Sequence, residues 1–295
     1  MMRKPAFWVP ALLLVALGCG KTPEEPTPDP QPVKIPLRIS VSPATRVTDT
    51  AFEPGDAIGL YVVSGSRPLA AAGNHADNAA FSYDGSRWTS AAELYWPDQV
   101  TPAGFYVYYP RAASVADIHA LPFSARPDQS TLAAYKSSEL LWGSRRDVKP
   151  TDRAVEITAT HRMSNLLVYV VPGQGYTADS MREEGLRVQV NNLKVNASLN
   201  VETGEVTAVG SAVDITPYAE GDHFRALVPP QSLQDQTLVT IWVGNASFPL
   251  KETISLKSNT QHKVTVTVHK VGEGIDIGIG PWETDENDYG GTVNE

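Results

Sequence analysis

Near the start of the chain apolar and polar positions alternate with a period of two. Val33, Ile35, Leu37, Ile39 and Val41 interleave with Lys34, Pro36, Arg38 and Ser40. This is the pattern of a β-strand with one buried face. Pro36, which has no main-chain N–H to give, places that strand at a sheet edge. Turn-forming clusters follow at Glu53-Pro54-Gly55-Asp56, Asp84-Gly85-Ser86 and Pro102-Ala103-Gly104, with short β-rich runs at 58–63, 93–96 and 105–109 between and after them. A polar stretch containing Pro150, residues 143–152, reads as a linker. Beyond it the pattern predicts strands at 155–159, 164–171, 186–190, 197–201, 223–228, 237–243, 252–256 and 262–269. Breaks such as Pro172-Gly173-Gln174-Gly175, Glu202-Thr203-Gly204 and Pro229-Pro230 divide them, and no amphipathic helix of useful length intervenes. The spacing predicts an all-β chain of two antiparallel β-sandwiches, one over 33–148 and a second over 149–295 that carries an acidic tail.

Composition sharpens this picture. The 22 glycines and 23 prolines among 295 residues suit many turns better than long helices. The single cysteine, Cys19, excludes disulfide frameworks, four-cysteine zinc sites and iron–sulfur clusters. Its setting is informative. Arg3 and Lys4 precede an apolar run, Phe7 to Leu17, that is interrupted by Pro10 and too short for a permanent membrane span. Residues 1–18 therefore read as a secretory signal. Ala16-Leu17-Gly18-Cys19 resembles the lipobox of bacterial lipoproteins, in which the cysteine is diacylated and becomes the new N-terminus, although the usual leucine three places before the cysteine is here Ala16. That resemblance implies lipidation at Cys19 and attachment to the outer membrane; ordinary signal-peptide cleavage nearby is the alternative. Residues 19–32, with Glu24, Glu25 and several prolines, form an acidic, extended spacer. The full chain carries 24 Lys and Arg against 33 Asp and Glu, a net charge of −9, and losing the leader removes Arg3 and Lys4 but no acid. So acidic a protein is a poor match for nucleic acid.

A set of short blocks, in order along almost the whole mature chain, resembles the fimbrillin family, the pilins and pilus-associated lipoproteins of type V pili. They are Ala44 to Glu53 followed by Gly55-Asp56 and Ile58-Gly59-Leu60-Tyr61, then Leu94-Tyr95-Trp96-Pro97, Phe105 to Pro110 and Leu140-Leu141-Trp142-Gly143. The second half adds His161 to Leu166, Ala226 to Gln231 and Ile279-Gly280-Pro281-Trp282. The resemblance implies two transthyretin-like β-sandwich domains and a lipidated precursor. It also implies an arginine-specific protease that removes the first strand during maturation, and a neighbouring subunit whose C-terminal strand fills the vacated groove. The processing site implied is Arg46, cut before Val47, in a stretch of small residues that suits exposed chain; an ordinary surface arginine is the alternative. The removable strand is Val33, Ile35, Leu37, Ile39 and Val41. If all five apolar side chains are fully buried, that strand contributes at most about 8–15 kcal/mol. The candidate donor is Ile275, Ile277 and Ile279, which could equally close their own sandwich; the acidic tail beyond them is a poor groove filler and points to a tip or accessory position.

Other chemistry is weakly represented. The six histidines, His75, His119, His161, His223, His262 and His269, show no paired metal-binding spacing and read as surface or strand-end residues. Gly-x-Ser-x-Gly and a phosphate-binding glycine loop are absent, and lipidation would consume the one thiol. Asp285, Glu286 and Asp288 lack the glycine and glutamate spacing of a helix-loop-helix calcium site and read as a solvated tail. Neither a metal nor a cofactor is implied. Asp49-Thr50-Ala51 and Asp179-Ser180-Met181 resemble a short bacterial O-glycosylation pattern in loops. Tyr95, Trp96, Tyr106, Tyr108 and Tyr109 could form a sugar platform, although strand alternation sends at least one set of them into the core. The leading expectation is a surface pilus subunit, not an enzyme, that assembles by strand exchange with other pilus subunits and adheres to a host protein or glycan receptor. The alternative is a monomeric glycan-binding surface lipoprotein.

Overall fold

A computed structural model describes residues 34–43 and 51–270 of the chain. The first strands are β1 (Ile39–Pro43), β2 (Ala57–Ser64), β3 (Ala76–Tyr83), β4 (Trp88–Thr89), β5 (Ala103–Tyr109) and β6 (Leu121–Ser124). After a single-turn helix, α1 (Leu132–Lys136), come β7 (Leu141–Val148), β8 (Val155–His161) and β9 (Ser164–Pro172). A second short helix, α2 (Ala178–Glu183), precedes β10 (Arg187–Leu199), β11 (Val206–Ile215), β12 (Tyr218–Glu220) and β13 (His223–Val228). The last strands are β14 (Gln231–Val243), β15 (Ala246–Leu256) and β16 (Thr260–Val268). The all-β class expected from the sequence is what the chain adopts.

Three sheets form. One is seven-stranded in the order β1-β8-β7-β5-β2-β3-β4. A second runs β11-β10-β14-β15 with β6 added beside β10, and a third runs β12-β13-β9-β16. Among the described residues, strand pairing is antiparallel except at two places, where β1 runs parallel to β8 and β16 parallel to β9; Asp128 and Thr216 add an isolated parallel bridge. The predicted boundary at 148/149 falls within the β7–β8 hairpin. β8 belongs to the first sheet: of the stretch read as a linker, 143–148 is the rest of β7, paired with β5, and only the residues after it form the turn that lets Leu141 and Trp142 pair with His161 and Thr160. In the other direction, β6 crosses to pair its Leu121–Ser124 with Leu199–Asn196 of β10.

Alternation along β2 and β5 explains how the layers meet. On one face Ile58, Leu60, Val62, Phe105 and Val107 pack with Leu37, Ile39, Val41, Val155 and Ile157. On the other, Tyr61, Val63, Tyr106 and Tyr108 join a larger cluster that includes Met163, Leu166, Leu193, Ile241 and Val264. The seven-stranded sheet is thus covered on both sides, so its central strands are apolar throughout. The β10–β11 turn is locked against this sheet: the Trp142 indole N–H donates to the Val201 carbonyl at 2.7 Å, and the Arg162 guanidinium lies 4.7 Å from the Trp142 ring. Gly204 in that turn has φ +75°, and a Cβ there would lie 2.4 Å from the Trp142 ring. Gly204→Ala should therefore lower the unfolding free energy by about 1–3 kcal/mol through combined strain and overpacking, read as a reduced denaturant midpoint.

Candidate functional site

The segment 34–43 makes main-chain contacts in two directions: β1 is the edge strand of the seven-stranded sheet, and the residues before it bridge to the chain beyond β4. Its second part, β1, pairs in register with β8 from Ile39↔Val155 to Pro43↔Ala159. The Val155 N–H donates to the Arg38 carbonyl at 2.8 Å, and the Arg38 guanidinium donates to the Asp152 carbonyl at 3.3 Å. Its first part pairs instead with the chain beyond β4, the strand at the opposite edge. There the Leu37 N–H donates to the Leu94 carbonyl at 2.8 Å and the Trp96 N–H to the Ile35 carbonyl at 2.9 Å. Pro36 sits opposite Tyr95 in this antiparallel bridge, whose bonds use the Leu37 N–H and the Ile35 carbonyl on either side of it, so its missing N–H costs the bridge nothing.

The side chains divide as the alternation requires. Leu37, Ile39 and Val41 are 5%, 5% and 6% exposed, Ile35 is half-buried, and Arg38, Ser40 and Ser42 face solvent. Burying the three innermost side chains is worth at most about 5–9 kcal/mol, less than the estimate for five. Two tryptophans flank the strand. The Trp88 indole N–H donates to the Val41 carbonyl at 3.0 Å. The Trp96 indole N–H donates to the Thr151 carbonyl at 3.0 Å, and its ring meets Phe105 edge-on at 5.4 Å. Neither tryptophan's role in this seam was read from the sequence, since the acceptors lie 47 and 55 residues away. Cys19, Val33, Arg46, Val47, Ile275, Ile277 and Ile279 lie outside the described residues, as do Thr50 and the acids at 285–288.

The remaining candidates are placed differently from the sequence reading. Trp96, Tyr106 and Tyr108 are all buried, because the strand carrying Tyr106 and Tyr108 has a core on each side, so they offer no platform to a sugar. Tyr109 is half-buried and donates to the Asp56 carboxylate at 3.0 Å. Ser180 lies in the first turn of α2, where its hydroxyl donates to the Thr177 carbonyl and accepts from the Thr177 N–H, so helix capping already engages it. The histidines are not all superficial. His161 is hydrogen-bonded to the buried Glu139 carboxylate at 2.8 Å, which raises its pKa. His262 is buried, and its Nε2 accepts from the Lys257 N–H at 3.0 Å; burial, with the Lys257 charge, pushes its pKa down from 6.5 to about 4. An open cleft of about 350 Å3, lined by residues such as Arg67, Asn74 and His75, lies beside β2, but the Asn74 amide and the His75 Nε2 are engaged by Ala70, Asp77 and Tyr95.

Residues 45–282 match the model of a family described as fimbrillin-like. A protein of Bacteroides uniformis that carries the name of a fimbrium subunit is 25% identical, the match covering 99% of each chain. One of Bacteroides ovatus, named as a fimbrium tip subunit, is 28% identical over 66% of this chain and 38% of its own. A crystal structure from Bacteroides uniformis, of a protein named for cell adhesion, shares the fold with a TM-score of 0.63 at 21% identity, covering 81% of this chain and 95% of that one.

Two outcomes follow from this geometry. Ile39→Ala should lower the unfolding free energy by about 2–5 kcal/mol, whereas Ser40→Ala, on the solvent side of the same strand, should change it by less than about 0.5 kcal/mol; equilibrium denaturation separates them. The folded protein keeps His262 neutral while the unfolded chain protonates it, so stability falls as pH drops through the window from 6.5 to about 4. His262→Gln should lose less stability than the parent chain between about pH 7 and about pH 4.5, as read from urea midpoints.

Proposed function

The chain belongs to the fimbrillin-like family, and we propose that within it the protein is a surface fimbrium subunit whose assembly uses the exchange of strand 34–43 for a strand of a neighbour. The family is one of structural subunits, and the role is assembly and adhesion without catalysis. The observation that carries this reading is the seam. One strand, with Leu37, Ile39 and Val41 buried on a single face, covers an apolar groove and supplies main-chain partners to β8 and to residues 94–96. Taking it away exposes that groove and unpaired strand edges, and an incoming extended segment with the same alternation restores both.

In this reading Cys19 is the lipid attachment that holds the precursor at the outer membrane. An arginine-specific protease cuts between Arg46 and Val47, and Ile275, Ile277 and Ile279 form the segment offered to the next subunit. A tip or accessory position is supported by the acidic composition after Trp282 and by the tip role in the name of the Bacteroides ovatus relative.

Treatment of the purified full chain with an arginine-specific protease should release a fragment ending at Arg46 and convert monomer into oligomers, followed by mass spectrometry and size-exclusion chromatography. A chain cut at Arg46 that stays monomeric at all concentrations would remove the basis of strand exchange. A chain that resists cutting there would remove the proposed maturation step.

A further inference from the structure

Both seam tryptophans use their indole N–H, but on different sides of the groove. Trp96 donates to the Thr151 carbonyl, which belongs to the β7–β8 turn and not to the strand. Trp88 donates to the Val41 carbonyl, which belongs to the strand itself. Trp88 is 7% exposed, and its ring is enclosed by Phe52, edge-on at 4.8 Å, and by Tyr83 at 5.3 Å. A strand that leaves takes this acceptor with it, and any later occupant that covers the ring without offering a carbonyl there leaves a buried donor unsatisfied. An unsatisfied buried donor is costly, whereas an exposed one is not.

We propose that Trp88 is the residue by which the groove recognises main chain: its indole N–H binds the carbonyl of the third buried position of whatever extended strand occupies the seam. This rests on the strand-exchange reading and adds a requirement to it. The apolar pockets under Leu37, Ile39 and Val41 select alternate apolar side chains, and Trp88 selects an extended segment long enough to bring a carbonyl to the position of Val41. A segment that ends one residue short fills two pockets and leaves the donor unanswered. The partner is therefore an extended strand from a second subunit, apolar at three alternate positions and tolerant of proline at the position of Pro36. The positions of Arg38, Ser40 and Ser42 face solvent and are unconstrained.

The test is a cycle on the full chain with the recognition sequence of a sequence-specific protease substituted at 44–50, so that strand release does not depend on Arg46. After cutting, the protein is offered a labelled peptide of residues 34–43, or the same peptide with an ester in place of the amide between Val41 and Ser42. The ester carbonyl is a weaker acceptor. Both peptides are also tested on a chain carrying benzothienylalanine at position 88, which keeps the shape of the indole and lacks the N–H. The side effect of losing the Ser42 N–H is common to both proteins and cancels in the cycle. The ester should cost the parent protein about three- to tenfold more affinity than it costs the substituted one. Equal losses overturn the role of Trp88 and leave strand exchange standing. A cut chain that captures neither peptide overturns strand exchange and the inference with it. Hydrogen exchange at the Trp88 indole gives a second reading: protection in the intact chain should be lost on strand release and regained on capture, and protection that never changes overturns the assignment.

Discussion

The structure depends on one constraint: the main chain of β8 and of residues 94–96 needs hydrogen-bond partners, and the apolar face between them needs cover. Segment 34–43 meets it by pairing with β8 through β1, the edge strand of the seven-stranded sheet, and with residues 94–96, beyond β4, through a short antiparallel bridge. In doing so it lays Leu37, Ile39 and Val41 over the apolar face of the sheet. Main-chain pairing and side-chain burial are therefore supplied by the same few residues. A strand with this double duty is more consequential than its short length suggests, because its loss uncovers apolar surface and unpaired N–H and C=O groups together.

The rest of the molecule is arranged so that this duty stays local. The core beneath the seam strand and the larger core shared with the other two sheets lie on opposite faces of β2 and β5, separated by the sheet itself. The contacts that tie the first sheet to the β10–β11 turn, Trp142 to Val201 and Arg162 over Trp142, involve neither the seam strand nor its groove. The Trp96 indole braces the groove wall against the β7–β8 turn, while its main-chain N–H bonds the segment at Ile35. Fold and groove are thus held by different sets of interactions.

How much of this could be read in advance depended on whether a residue's environment is local. The seam strand was legible because one of its faces is wet, which leaves a strict period of two. β2 and β5 were legible as strands, but their facing was not. With a core on each side, Phe105-Tyr106-Val107-Tyr108 is apolar or aromatic throughout, so alternation shows that one set of side chains is core but not that both are. β8 was assigned to the wrong half because Pro150 and its polar neighbours make a hairpin turn look like a linker. β11 was missed altogether: Val206–Ile215 is almost wholly exposed, so burial imposes no pattern on it. The two tryptophan donors could not be inferred at all, since an indole in sequence does not disclose a carbonyl that only folding brings to it.

The chain between Pro43 and Ala57 is also a tether, and its chemical state sets the order of the reaction that holds the seam. While it is continuous, the strand returns to its groove by a unimolecular step, at an effective concentration on the order of millimolar. Severed, the same strand and groove obey a bimolecular equilibrium, and a body that moves away from its strand no longer meets it at that concentration. A subunit bringing its own segment alongside would then compete against almost nothing, even if its segment fits no better than the one it replaces. Hydrolysis of one peptide bond would give the exchange its direction through dilution, with no difference in intrinsic affinity required.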